Sequence, residues 1–233
     1  MKRCFCQQAL LTLVCCTLFA AAGAEECRTV WHGERSPEEA KFSISVDDCY
    51  NTDHVLAVIE LCEQYDVPMT FFPVGSGLKY ADAALWQRAL DAGCEIGNHT
   101  WNHKDLTGQN ERGIRFELLR TQQKLDELLG YHYAMQVLRP PYGETNARVR
   151  ETAGSIGYRL VANWDVSQTD AGKAFRDVKG GSILLYHAKA KDVRCLKALI
   201  PRLLEAGYEP VTVSALFGLP VPATSTDLYV YDE

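Results

Sequence analysis

The feature that most constrains this chain is a regular alternation of short apolar runs with longer segments of helical period, punctuated by glycine and proline. Residues 41–46 alternate apolar and polar and end in Asp47-Asp48, as a strand does. Residues 52–65 place Val55, Ile59 and Cys62 at helical spacing, with Leu56 and Leu61 beside them. Further strands are expected at 68–72, 94–97, 134–138, 158–163, 182–186 and 210–213. Helices are expected at 81–92, 112–129, 146–156, 173–178 and 192–205, with Gly93, Gly130, Gly157 and Gly207 as stops and Ser214 capping a final turn. About seven strand–helix units in series imply an α/β fold, a parallel sheet covered by helices. An open doubly wound sheet and a closed barrel both satisfy that pattern. No Gly-x-Gly-x-x-Gly follows the first strand, so nothing supports dinucleotide binding.

The first 24 residues differ from the rest. Lys2 and Arg3 precede an apolar run of 14 residues, 9–22, and Ala22-Gly23-Ala24 supplies a small-residue cleavage site. This reads as a secretory signal peptide cleaved after Ala24, giving a secreted or cell-envelope protein; an uncleaved anchor is the alternative. The run is short for a bilayer span, and no later stretch is apolar enough for one. Residues 25–37 form a lead, residues 38–218 a single domain, and residues 219–233 an acidic tail that is an edge or a loose end. Loss of the leader leaves Cys27, Cys49, Cys62, Cys94 and Cys195, an odd number in no zinc-ribbon spacing. Cys62 and Cys195 fall in helical patterns and read as small buried side chains. The net charge of −6 and the lack of a basic stripe argue against a nucleic-acid partner.

Chemistry-bearing residues cluster at the C-terminal ends of the expected strands. Asp47-Asp48 follow the first, His99 and His103 the third, Arg139 the fourth, Asp165 and Asp170 the fifth, and His187 the sixth. In parallel α/β folds that edge carries the active site. His99 and His103 are four apart, so one helical turn or a tight loop points both the same way. Asp48 with the two histidines offers one oxygen and two nitrogens, a common catalytic zinc set with a position left for water. Asp47 is a candidate general base for that water, and Arg139 a partner that orients it. His187 is a candidate general acid. Metal-assisted hydrolysis of an acyl bond needs this combination. Each residue also has a plain reading: a solvated acidic turn or cap, a braced loop, a core histidine.

The order Asp-Asp, Asn98-His99-Thr100-Trp101-Asn102-His103, Arg139-Pro140-Pro141-Tyr142-Gly143, Asp, Leu185-x-His187 resembles the polysaccharide deacetylase family, the NodB-homology domain of carbohydrate esterases. The likeness spans residues 41–215. It implies a distorted (β/α) barrel of about seven parallel strands. It also implies removal of acetyl groups from N-acetylglucosamine polymers such as chitin and peptidoglycan, or from acetylated xylan. By the resemblance, Asp47 is the catalytic base, and Asp48, His99 and His103 hold the metal. Arg139 partners Asp47, and the Tyr142 backbone N–H donates to the oxyanion. His187 protonates the leaving amine, and Leu185 walls the acetate pocket. Asp170 is the buried aspartate that orients Arg139 and tunes His187, with Asp165 a less secure neighbour. Zinc is the expected metal; cobalt, nickel or manganese would bind the same donors.

Two positions depart from the family. The first motif reads Ser45-Val46-Asp47-Asp48-Cys49, with cysteine in place of glycine. Ala171 follows Asp170 where a groove tryptophan is expected, so Trp101 or Trp164 is left to line the sugar cleft. His32, His54 and His132 match nothing and are expected at the surface. The leading expectation is a metal-dependent N-deacetylase of an N-acetylated polysaccharide. The alternatives are an O-acetyl esterase of the same fold and a catalytically silent carbohydrate-binding surface protein. The oligomeric state is not legible.

Overall fold

A computed structural model describes residues 27–36 and 38–227. The expected leader and residues 228–233 of the tail lie outside the described residues. In chain order the elements are β1 (Arg28–Val30), β2 (Lys41–Asp48), α1 (Thr52–Tyr65), β3 (Thr70–Pro73), α2 (Ala83–Asp91), β4 (Glu95–Ile96), α3 (Glu111–Leu129), β5 (His132–Tyr133) and β6 (Val137–Leu138). There follow α4 (Ala147–Ser155), β7 (Leu160–Ala162), α5 (Ala171–Asp177), β8 (Ile183–His187), α6 (Ala190–Glu205), β9 (Glu209–Pro210), α7 (Val213–Leu216) and β10 (Thr224–Ser225).

One parallel sheet has the order β4-β3-β2-β8, with β9 joining the start of β2; a second has the order β1-β7-β6. Isolated parallel bridges, Asn98↔Leu138 and Val166↔Leu184, link residues at the margins of the two. β2 is buried along almost its whole length, between β3 and β8. Its register sets Asp47 opposite His187 and Asp48 opposite Pro73. Helices cover the sheet through apolar faces; α6 buries Val193, Leu196, Leu199, Ile200 and Leu203 at helical spacing. Asparagine and aspartate set the helix starts: Asn51, Asn110, Asn146 and Asp170 each accept a first-turn N–H through the side chain. Gly97 admits the close approach of β4 to its neighbours, since a Cβ there would run into the Phe72 ring and the Val137 carbonyl.

The lead, the last expected strand and the tail each take a definite form. The lead contributes a strand, since Arg28–Val30 pairs in parallel with β7. The last expected strand shortens to Glu209–Pro210, because the Thr212 hydroxyl accepts from Ala215 N–H and begins α7 at Val213. The cap is therefore Thr212; Ser214 bonds to buried Glu95. In the tail, Thr224–Ser225 pairs antiparallel with β5, an edge rather than a loose end. Among the described residues no helix is long and apolar enough to cross a membrane.

Candidate metal and catalytic site

Asp47 and Asp48 end β2 side by side and point into different surroundings. Asp47 is 3% exposed and meets Arg139, which is fully buried. Arg139 Nη1 donates to both carboxylate oxygens of Asp47 at 3.0 Å. Nη2 donates to Ser45 Oγ at 3.0 Å and to the Asn163 carbonyl at 3.3 Å, and Nε donates to the Ala162 carbonyl. The guanidinium lies between the Phe72 ring, 4.7 Å away, and the Trp164 ring, 5.4 Å away. Burial lowers the Arg139 pKa, and Asp47 opposes that shift. A charge in such a place persists only when paired and hydrogen-bonded, and Arg139 is both.

Asp48 turns outward to the histidines. Its Oδ1 is 3.6 Å from His99 Nε2 and 3.6 Å from His103 Nε2. One donor atom from each of the three residues lies within 4.8 Å of the others, a set that can hold a metal ion. Burial raises the Asp48 carboxyl, but the His99 hydrogen bond and the charges of His99, His187 and His103 outweigh it, and the pKa falls. His103 is lowered, by burial and then by His99, which keeps the imidazole neutral and its lone pair available. His99 Nδ1 is 2.6 Å from the Arg139 carbonyl. That contact requires the proton on Nδ1 and leaves Nε2 unprotonated, facing Asp48.

The His99–His103 segment is a loop, not a turn of helix. Asn98 fixes its start: its Oδ1 accepts from Thr100 N–H, and its Nδ2 donates to Leu118 O and Tyr158 Oη. Thr100 Oγ1 then accepts from His103 N–H. The imidazoles converge because Thr100 (φ 65°) and His103 (φ 55°) take left-handed backbone. Among the described residues six non-glycines have positive φ. Five of them, Asp48, Cys49, Thr100, His103 and Tyr142, stand at this edge; the sixth, Asp66, ends α1. Each such residue costs on the order of 1 kcal/mol, and such strain gathers at functional sites. Cys49 (φ 60°) occupies a position that suits glycine, and its thiol faces the Val46 carbonyl at 3.5 Å. Burial and the two aspartates push that thiol pKa well up, so it is a neutral filler.

His187 ends β8, beside Asp47 in register. Leu185, two residues before it, is 8% exposed. Tyr142 (φ 63°) is the middle of a short 3-10 turn, Pro141–Gly143; its side chain is exposed and its ring centroid is 5.0 Å from that of His103. Trp164 packs on Arg139, and Trp101 is held against Gly75 with Arg120 over its ring at 5.2 Å.

Two expected members are elsewhere. Asp170 is exposed and spends its carboxylate on Lys173 N–H as the cap of α5, so it is not a buried partner of Arg139. Asp165, three residues after β7, bonds to Arg35, Ser182 Oγ and the N–H of Ile183 at the start of β8, the end of that strand away from His187. The acid that does meet His187 is Asp192, in the first turn of α6. It is 1% exposed, accepts the His187 N–H at 3.2 Å through Oδ2, and leaves Oδ1 without a partner. Burial raises its pKa, against the His187 N–H and nearby positive charge. An aspartate one turn into a helix signals only favourable dipole placement from sequence, so this contact was not readable. Tyr50 was also missed. It is exposed, rests on Gly77, and has its phenol pKa raised by burial, then by Asp48 and Tyr142. His54, expected at the surface, is half-buried with Nδ1 3.2 Å from the Ala188 carbonyl.

Residues 34–161 match the polysaccharide deacetylase family. The chain belongs to that family. The match holds Asp47, Asp48, His99, His103, Arg139 and Tyr142, and ends before His187. The chain is 29% identical over 188 residues to the peptidoglycan-N-acetylglucosamine deacetylase PgdA of Listeria monocytogenes, covering 76% of this chain and 39% of that protein. The chain therefore spans about two fifths of the length of that relative. Its fold matches the solved Bc1960 peptidoglycan N-acetylglucosamine deacetylase with a TM-score of 0.74 at 24% identity, covering 84% of this chain and 95% of that one. It also matches a family 4 acetyl xylan esterase from Clostridium thermocellum, solved with a cobalt ion, with a TM-score of 0.67 at 25% identity over 78% and 94% of the two chains.

Proposed function

We propose that the chain is a metal-dependent hydrolase that removes N-acetyl groups from an N-acetylglucosamine-containing polysaccharide. One observation carries this reading: a buried carboxylate, Asp47, locked by Arg139, lies directly beside an Asp48–His99–His103 donor set. Asp48, His99 and His103 would hold a divalent ion, which would supply Lewis-acid polarisation at the scissile acyl group. Asp47 takes the proton from the attacking water as general base. Arg139 fixes that carboxylate and offsets its burial. The Tyr142 N–H donates to the oxyanion that develops on the acetyl oxygen. His187 delivers a proton to the departing amine, and Asp192, bonded to its backbone, positions it. Leu185 borders the acetate, while Tyr50 and Tyr142 flank the sugar. Zinc is the first metal to test, with cobalt, nickel and manganese as the other borderline candidates.

The two marginal bridges support reading the sheets as one distorted (β/α) barrel, spanning residues 38–218 together with β1. Residues 1–24 are read as a secretory leader that delivers the enzyme to the cell wall; the amino terminus of the exported protein tests this. The likeness to an acetyl xylan esterase favours O-deacetylation as a second reading. Acetate release from chitooligosaccharides, peptidoglycan and acetylated xylan, with added metals and with chelator, decides between them. Metal-dependent release from the N-acetylated polymers supports the first reading, and release from xylan alone supports the second. Glycan binding without release under any metal leaves a carbohydrate-binding protein.

A further inference from the structure

A second polar cleft opens at the same end of the molecule as the catalytic turn. It is a groove of about 530 Å³ between the end of β1 and the segment that follows Tyr142. Trp31, one residue past β1, stands 52% exposed in its wall. Arg28 and Arg150 line it, and among the described residues neither forms an ion pair, although Glu144 shares the groove. Arg28 also lies over the Phe217 ring, 5.7 Å from its centroid, so Arg150 is the freer of two guanidinium groups that stand without an acid partner in a chain of net charge −6.

Asn163 joins this groove to the catalytic centre. Its backbone N–H donates to Val30 O at 2.7 Å, next to Trp31. Its Nδ2 donates to Gly143 O at 2.9 Å, and its own carbonyl accepts from Arg139. One residue thus braces the Trp31 strand, the Tyr142 turn and the guanidinium that holds Asp47. On the deacetylase reading, a polymer with one sugar at Tyr142 would extend neighbouring units toward residues 143–145, which line the groove.

We propose that this groove is a binding subsite for a carboxylate carried by a sugar unit neighbouring the one deacetylated. This rests on the deacetylase reading for the direction of the chain. An aromatic face beside convergent polar groups is the usual make-up of a ligand cleft. Arginine pairs with carboxylate in fork geometry, and such charge-assisted bonds are strong. A carboxylate-bearing glycan of the peptidoglycan type satisfies both arginines, whereas neutral chitooligosaccharide satisfies neither.

The test compares the full chain with an Arg28→Ser/Arg150→Ser variant on two oligosaccharides of equal length, one neutral and one bearing carboxylates. KM and kcat are measured for acetate release, and binding is measured separately by calorimetry. The expected result is a rise of about tenfold in KM and in Kd for the carboxylate-bearing substrate only, with kcat unchanged. Trp31→Ala is expected to weaken both substrates. An equal change on both oligosaccharides in the double-arginine variant, or none on either, overturns the subsite. If no substrate releases acetate but calorimetry shows the arginine-dependent preference, the subsite stands and the deacetylase reading falls. Both arginines are outside the buried core, and an unchanged unfolding temperature confirms that the variant is folded.

Discussion

Asp47 and Asp48 are adjacent in sequence and opposite in environment. Asp47 is closed off with Arg139 in a cage of backbone carbonyls and aromatic rings, and Asp48 faces two imidazoles at an open edge. The left-handed backbone at Asp48 (φ 66°) separates the two carboxylates. The buried pair is part of what holds the fold together and has nowhere else to go. In the outer triad Asp48 ends β2, while buried His99 and half-buried His103 stand on the loop that follows β4. The proposed proton transfer thus rests on a rigid group, and the proposed metal binding on groups nearer the open edge.

The largest effect expected from this contrast is in Arg139→Ala. It leaves a carboxylate buried without its partner, at a cost of about 3–5 kcal/mol. Thermal unfolding should drop by roughly 10 °C, and activity should vanish with it. A fall of only a degree or two would show that the cage is not structural. His99→Ala/His103→Ala should do the reverse: metal content, read by elemental analysis, falls to background while the metal-free protein unfolds much closer to wild type. A collapse as deep as that of Arg139→Ala would erase the distinction between cage and triad.

Much of this was legible in the sequence. The helix at residues 52–65 matched at both ends because Asn51 caps its start and its apolar positions keep strict period. The residues of the triad and the Asp47–Arg139 partnership were legible because the chemistry needs those residue types at strand ends. β1 was not, since three residues carry no measurable period. Nor was the exchange of Asp170 for Asp192. An aspartate before a short helix is a cap and a partner at once in sequence, and only the tight turn from β8 into α6 brings Asp192 to the His187 backbone N–H.

That exchange gives a smaller prediction. Asp192→Asn keeps an acceptor for the His187 N–H but removes the charge. The kcat should fall by roughly tenfold, below the 10²–10⁴ that general acid catalysis contributes in full, with metal content and KM unchanged. Asp170→Asn should leave kcat alone, and equal losses in the two variants would restore Asp170 to the site. The smallest effect is expected at Cys49→Gly. Relief of its left-handed backbone offsets the lost packing of the thiol, so stability should move by less than about 1 kcal/mol. Metal content should hold, whereas its loss would make the cysteine a ligand.

The division of labour between the two aspartates is tested most directly in Asp47→Asn, by measuring bound metal and acetate release on the same samples. The expected result is a full complement of metal in both wild type and variant, with metal-dependent acetate release from the wild type alone. Undiminished release by Asp47→Asn, or loss of its metal, would contradict the assignment of proton transfer to Asp47 and metal binding to Asp48, His99 and His103.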